Sequence, residues 1–228
     1  TFMILGNICT RSCGFCNVQT GKPLPADINE SKRVAKSVKL MKVKHAVITS
    51  VDRDDLKDGG SKIWAMTIKE IRKLNPTTTM EALIPDFKAN FTQIQRIIDV
   101  GPEVVSHNIE TVKRLTKKVR IQAKYERSLE TLNILSNSGM RTKSGIMLGL
   151  GENEKEVIET IQDLRNVGIS ILTLGQYLQP TLKHLPVAEY INPKQFQELK
   201  EIALQMGFKV IESGPLVRSS YHAEKHLF

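Results

Sequence analysis

Short apolar runs alternating with amphipathic stretches constrain the fold of this chain more than any other feature. Six runs read as strands: Phe2–Leu5, Ala46–Thr49, Met80–Ile84, Glu103–Ser106, Thr142–Leu148 and Ile171–Gln176. Their starts lie about 25 to 45 residues apart, which suits repeated strand–helix units. Between them, helical periods place Val34, Val38 and Met41 on one face, then Ile63, Ile68 and Ile71 after Gly59-Gly60. Asn90 caps a third helix, which stops at Gly101-Pro102. A fourth spans Ser128–Ser138 and a fifth Glu154–Val167, and Asn192-Pro193 opens the last. Six strands alternating with six helices predict an α/β fold on a parallel sheet. Alternation alone leaves a barrel and a doubly wound sheet open. In either, functional groups belong on loops after the C-terminal ends of strands.

The first such loop holds every cysteine of the 228 residues: Cys9, Cys13 and Cys16. A disulfide framework pairs cysteines and spreads them along a chain. Three in one loop point to a reducing compartment and a shared task. Their C-x3-C-x2-C spacing brings three soft ligands within reach of one metal centre. Structural zinc usually takes four ligands, often as two separated pairs, and no second pair or nearby His exists here. A four-iron cubane normally takes four cysteines, so three leave one iron open to a substrate or cofactor. The residues favour an iron–sulfur cluster over zinc or incidental free thiols. Phe15 reads either as a core aromatic or as a group that screens the cluster or stacks on a ligand.

With Phe15 before Cys16, the loop resembles the C-x3-C-x-aromatic-C signature of the radical S-adenosylmethionine enzymes. The resemblance implies a partial (β/α)6 TIM barrel, which chooses between the two folds. It also implies a [4Fe-4S] cluster on Cys9, Cys13 and Cys16, with S-adenosylmethionine on the open iron. Over the rest of the chain the sequence resembles the lipoyl synthase family. The matching segments include Thr49-Ser50-Val51-Asp52-Arg53-Asp54-Asp55-Leu56, Asp58-Gly59-Gly60, Pro85-Asp86-Phe87 and Asn108-Ile109-Glu110-Thr111. Further segments are Thr142-Lys143-Ser144-Gly145, Gly149-Leu150-Gly151-Glu152, Gly175-Gln176-Tyr177-Leu178 and Arg218-Ser219-Ser220-Tyr221. Residues 1–228 are expected to form a single barrel domain, with residues 208–228 as a C-terminal extension. The implied activity is insertion of sulfur at C6 and C8 of an octanoyl chain on a lysine of a lipoyl carrier domain.

The resemblance assigns roles that the residues alone leave open. Gly59 and Gly60 would let backbone approach the methionine amino group; a turn into a helix is the plain alternative. Asn108 and Glu110 end the fourth strand, where they would take ribose hydroxyls or the amino group; a cap and a solvated acid are the alternative. Arg120 would pair with the methionine carboxylate through its planar fork. Lys117, Lys118, Lys124 and Arg127 surround it, so a surface charge is the other reading. Lys143 on the fifth strand needs a charged partner if buried, and an anionic ligand would serve. Residues Gly145 to Glu152 fit the superfamily's G-x-I-x-G-x-x-E pattern with Met147 at the Ile position. Ser220 is implied as a ligand of a second, auxiliary [4Fe-4S] cluster that supplies the sulfur, a weaker iron ligand than Cys. Cys9, Cys13, Cys16 and Ser220 thus form the expected catalytic and metal-binding set. The family's remaining auxiliary ligands are three cysteines in an upstream C-x4-C-x5-C segment. Thr1 opens inside an apolar run, so the sequence is expected to continue upstream. As it stands, the chain is expected to bind S-adenosylmethionine without inserting sulfur efficiently.

Lys and Arg total 33 against 24 acidic residues, a net charge of +9. These cations are scattered and not interleaved with aromatics, which argues against nucleic acid. They read instead either as plain solubility or as steering for the acidic octanoylated carriers that the resemblance implies, namely the glycine-cleavage H protein and 2-oxoacid dehydrogenase E2 domains. A reducing electron donor protein is the other implied partner. No window approaches the ~20 apolar residues of a membrane helix, so no membrane role is expected, and the location is expected to be cytoplasmic. Two other readings are a biotin-synthase-like sulfur inserter, opposed by the Arg218-to-Tyr221 segment, and a zinc-stabilised binding protein.

Overall fold

The structure is a computed structural model that describes residues 1–226. Seven strands form one all-parallel sheet in chain order: β1 (Phe2–Ile4), β2 (His45–Ser50), β3 (Thr79–Leu83), β4 (Val104–Ser106), β5 (Thr142–Leu148), β6 (Ile171–Gln176) and β7 (Val210–Gly214). Among the described residues β1 and β7 are the edges, so the sheet is an open barrel. Seven helices alternate with the strands: α1 (Glu30–Leu40), α2 (Ser61–Leu74), α3 (Phe91–Val100), α4 (Lys113–Val119), α5 (Tyr125–Asn137), α6 (Glu154–Asn166) and α7 (Pro193–Gln205). The six expected strands are present. The seventh adds a rung inside residues expected to form an extension.

Local chemistry sets the helix ends. Asn90 accepts from Gln93 N at 3.2 Å at the start of α3. Asn153 and Glu156 form a reciprocal capping box on α6. Pro193 fills the first turn of α7, where its missing N–H costs nothing. At the start of α2, Gly60 has φ 85°, which strains any residue with a side chain, and a Cβ there would lie 2.5 Å from Leu5 Cδ1 and displace it.

Two apolar clusters join helices to sheet. One gathers Ile4, Ile48, Trp64, Ile68, Ile71 and Met80 beneath α1 to α3. The other gathers Leu132, Ile146, Ile161, Leu172, Leu174 and Phe196 beneath α5 to α7. Parallel strands covered in this way are buried along their length, as all six residues of β6 are. The barrel interior is more polar and includes the fully buried Glu81, Ser106 and Lys143. A tail after β7 runs through Val217 to Ser220 into a short 3₁₀ turn, Ala223–His226.

Candidate active site

The cysteine loop leaves β1 and is clamped from four sides. Ile8–Cys9 pairs with Gln19–Thr20 and closes its base. Thr10 donates from N and Oγ1 to the Asp52 carbonyl at 3.1 and 2.9 Å. Cys13 forms an isolated bridge with Arg120, and Gly14 N donates to Val119 O at 2.9 Å. His184 reaches the Cys16 carbonyl at 3.1 Å. Beneath the loop Arg11 is buried, with its guanidinium 2.7 Å from Asp54, 2.8 Å from Asp86 and 3.3 Å from Asp52. Arg127 approaches the other oxygen of Asp86 at 2.8 Å. Burial alone would raise the Asp86 carboxyl; the Arg11 guanidinium outweighs it and holds Asp86 well below the usual carboxylate range.

The three thiols are half-buried and wall one cavity of about 270 Å³ at the C-terminal mouth of the barrel. Burial pushes all three up, Cys13 to about 12. Two backbone N–H groups, of Asp52 and Arg11, point at Cys9 Sγ from 3.3 and 3.4 Å. Phe15, Asp52, His107, Asn108, Glu110 and Arg120 complete much of the wall. Phe15, Asn108 and Glu110 also line an adjoining cavity of about 260 Å³, which continues past Gly145 and Gln176 to Val217 and Ser219. Glu110 has φ 69°, a left-handed conformation unusual for a side-chain-bearing residue. Burial raises its carboxyl, while Arg120 and Asn108 pull it back. Arg120 is 7% exposed, and its Nη1 donates to the carbonyls of Asn108 and Ile109, each at 3.2 Å. The surface-charge reading of Arg120 is thereby excluded.

Residues 3–164 match the family described as "Radical SAM superfamily". Over all 228 residues the chain is 66% identical to "Lipoyl synthase, mitochondrial" of Nematostella vectensis, covering 78% of that protein. It is 64% identical to the lipoyl synthase of Christiangramia forsetii, also covering 78%. The chain belongs to the lipoyl synthase family. Among solved structures, the radical SAM enzyme coproporphyrinogen III oxidase of Escherichia coli superposes with TM-score 0.67. That match covers 99% of this chain and 57% of the other at 12% identity, a likeness of fold alone.

Membership of this superfamily implies a [4Fe-4S] cluster and S-adenosylmethionine, and the cavity fits both. Among the described residues no three His, Cys, Asp or Glu side chains are gathered around a point that could hold one metal ion. Cys9, Cys13 and Cys16 line the same cavity, and three thiolates would leave one iron of a cubane open to the cofactor. Asn108 Oδ1 is buried and lacks a partner among the described residues, leaving one acceptor for a donor on a ligand.

Not every expected site residue comes to this cavity. Gly59 and Gly60 do not line it. Their positive φ values, 58° and 85°, and their packing against Phe87 and Leu5 belong to the turn into α2. Thr49, Ser50 and Asp52, at the end of β2, wall the cavity instead. Lys143 needs no anionic ligand: its Nζ lies 2.9 and 3.0 Å from the two oxygens of Glu81, and it also donates to the carbonyl of Ser219. Glu152 takes the N–H groups of Gly149 and Leu150 and so closes a turn. Ser220 is exposed and lines neither cavity. Arg11 and Asp86 lie in segments that match the family, but their pairing with each other was not legible across 75 residues, and neither was the contact of His107 with Ile84 across 23.

Proposed function

We propose that this chain supplies the radical-generating site for the insertion of two sulfur atoms, at C6 and C8, into an octanoyl chain on a lysine of a lipoyl carrier domain. One observation carries the reading: three cysteines of a radical SAM loop wall a single half-buried cavity in a chain 66% identical throughout to a lipoyl synthase. When bound, the reduced cluster and S-adenosylmethionine supply a radical that takes hydrogen from an unactivated carbon.

The remaining work falls to the chain's own groups. Cys9, Cys13 and Cys16 hold three irons, and the N–H groups of Arg11 and Asp52 offset charge on Cys9. Arg11, braced by three carboxylates, keeps the loop in one shape. Arg120 takes the cofactor carboxylate. Glu110 and the free Asn108 Oδ1 take its ammonium and ribose hydroxyls. Phe15 stands at the junction of the two cavities, where it keeps water from the reacting centre. The adjoining cavity, with Ile146, Met147 and Val217 in its wall, takes the acyl chain.

Ser220 serves a second, sulfur-donating cluster, whose thiolates are not among these 228 residues. The dispersed positive charge steers acidic carriers, and a reducing protein supplies electrons. The test uses the full-length protein with an octanoyl-lysine peptide deuterated at C6 and C8. Deuterium in 5′-deoxyadenosine and a product with two added sulfurs are expected. Cofactor cleavage without deuterium transfer refutes the proposed substrate.

A further inference from the structure

Arg120 is oriented by a chain of hydrogen bonds whose direction is fixed at both ends. Its Nη1 lies 3.2 Å from Ser128 Oγ. Ser128 Oγ lies 3.0 Å from His107 Nε2, and His107 Nδ1 lies 2.9 Å from the Ile84 carbonyl. Arginine only donates and a carbonyl only accepts. His107 must therefore carry its proton on Nδ1, and its bare Nε2 must accept from the Ser128 hydroxyl. The Ser128 oxygen is then turned to accept from Arg120. Burial and the nearby Arg120 lower His107 to about 4, so the imidazole stays neutral at working pH.

All three groups are nearly or fully buried: Ser128 at 0%, His107 at 2% and Arg120 at 7% exposure. The chain joins the ends of β3 and β4 to the first turn of α5. It fixes one nitrogen of a guanidinium whose Nε and Nη2 have no partner among the described residues and which lines the cysteine cavity.

We propose that His107 and Ser128 are positioning residues that aim the Arg120 fork at the carboxylate of the bound cofactor. The proposal rests on the reading of Arg120 given above. A hydroxyl locked as acceptor by a neutral imidazole removes the choice a free serine has. Arg120 is then pre-oriented, and less rotamer freedom is lost on binding.

The test is equilibrium binding to the oxidised, cluster-loaded protein, measured with S-adenosylmethionine and with decarboxylated S-adenosylmethionine. Ser128→Ala is expected to weaken the first about tenfold, the size of one hydrogen bond to a charged group. The second should change less than about twofold, within the scatter of independent sites. Ser128→Thr keeps the hydroxyl and should restore the preference; His107→Phe, which removes the acceptor, should reduce it. Equal weakening of both ligands by Ser128→Ala, or weakening of neither, overturns the proposal. Arg120→Gln separates the two ideas. If it erases the preference while Ser128→Ala does not, the relay is wrong and the carboxylate reading stands. If Arg120→Gln leaves the preference intact, the carboxylate reading itself fails. Iron content and melting temperature of each variant distinguish misfolding from lost orientation.

Discussion

Lys143 and Glu81 form an ion pair with both side chains at 0% exposure inside the barrel. The carboxylate is well supplied: Lys143 approaches both oxygens, and Ser106 Oγ donates to one of them at 2.8 Å. Burial opposes the charged carboxylate, but His226, Lys143 and Ser106 hold Glu81 below its ordinary value. Replacing Lys143 by Met keeps the volume and strands a buried carboxylate. The expected cost is about 3–5 kcal/mol, the usual penalty for breaking such a pair on one side. For a domain of this size that is about 6–20 °C in Tm. Converting both residues, Glu81→Met with Lys143→Met, removes the stranded charge and should recover most of the loss. Urea unfolding of the four members of this cycle measures the coupling directly.

The pH profile gives a second signature. In the native chain Glu81 is depressed, so its contribution is complete above the unfolded value near ~4.3 and fades as pH falls through the folded one. In the Lys143→Met single variant the carboxyl is raised, and stability should increase as pH falls through the folded value toward the unfolded one. A Lys143→Met chain that loses less than about 1 kcal/mol, or whose double variant is no better than the single, would refute the reasoning.

Three further outcomes follow from the site. Cys13→Ala should lower anaerobic iron loading well below the about four irons of one cubane and remove the broad visible absorbance; unchanged loading would show that Cys13 is not a ligand. Asp86→Asn takes the shared carboxylate from Arg11 and Arg127, and should cost about 2–3 kcal/mol in urea unfolding. Because Asp86 is held low, its contribution is present above ~3.9 and lost as pH falls, so the variant should also lose part of the acid-side slope of stability. With a net charge of +9, association with an acidic carrier should slow steeply as salt rises from 0.05 to about 0.5 M; a salt-insensitive rate would remove the steering role.

What the sequence disclosed depends on how far each cause reaches along the chain. β6 was legible because a strand covered on both faces must be apolar almost throughout. The helix caps at Asn90 and Asn192 act within two or three residues, so they too are legible locally. α4 was not, because its seven residues carry four cations and too short an apolar stripe. β7 was missed because it ends in Ser213-Gly214 and pairs on one side only. The cysteine loop was the clearest site signal, since thiols that share a cluster must be close in sequence or brought close by the fold, and here they are close in sequence. Charges obey no such rule. Whether Arg120 faces water or a cavity, and whether Lys143 meets a ligand or Glu81, is decided by which strand lies two places along the sheet. One local clue did exist. Glu81 interrupts an apolar run at Met80-Glu81-Ala82, and Lys143 stands between Thr142 and Ser144 on a strand that is buried over nearly its whole length. A charge on a strand buried on both faces must find its opposite inside the same barrel, because removing an unpaired charge from water costs more than one domain's net stability. Two such strands of opposite sign, separated only by β4, were therefore each other's most economical partners before any ligand needed to be invoked.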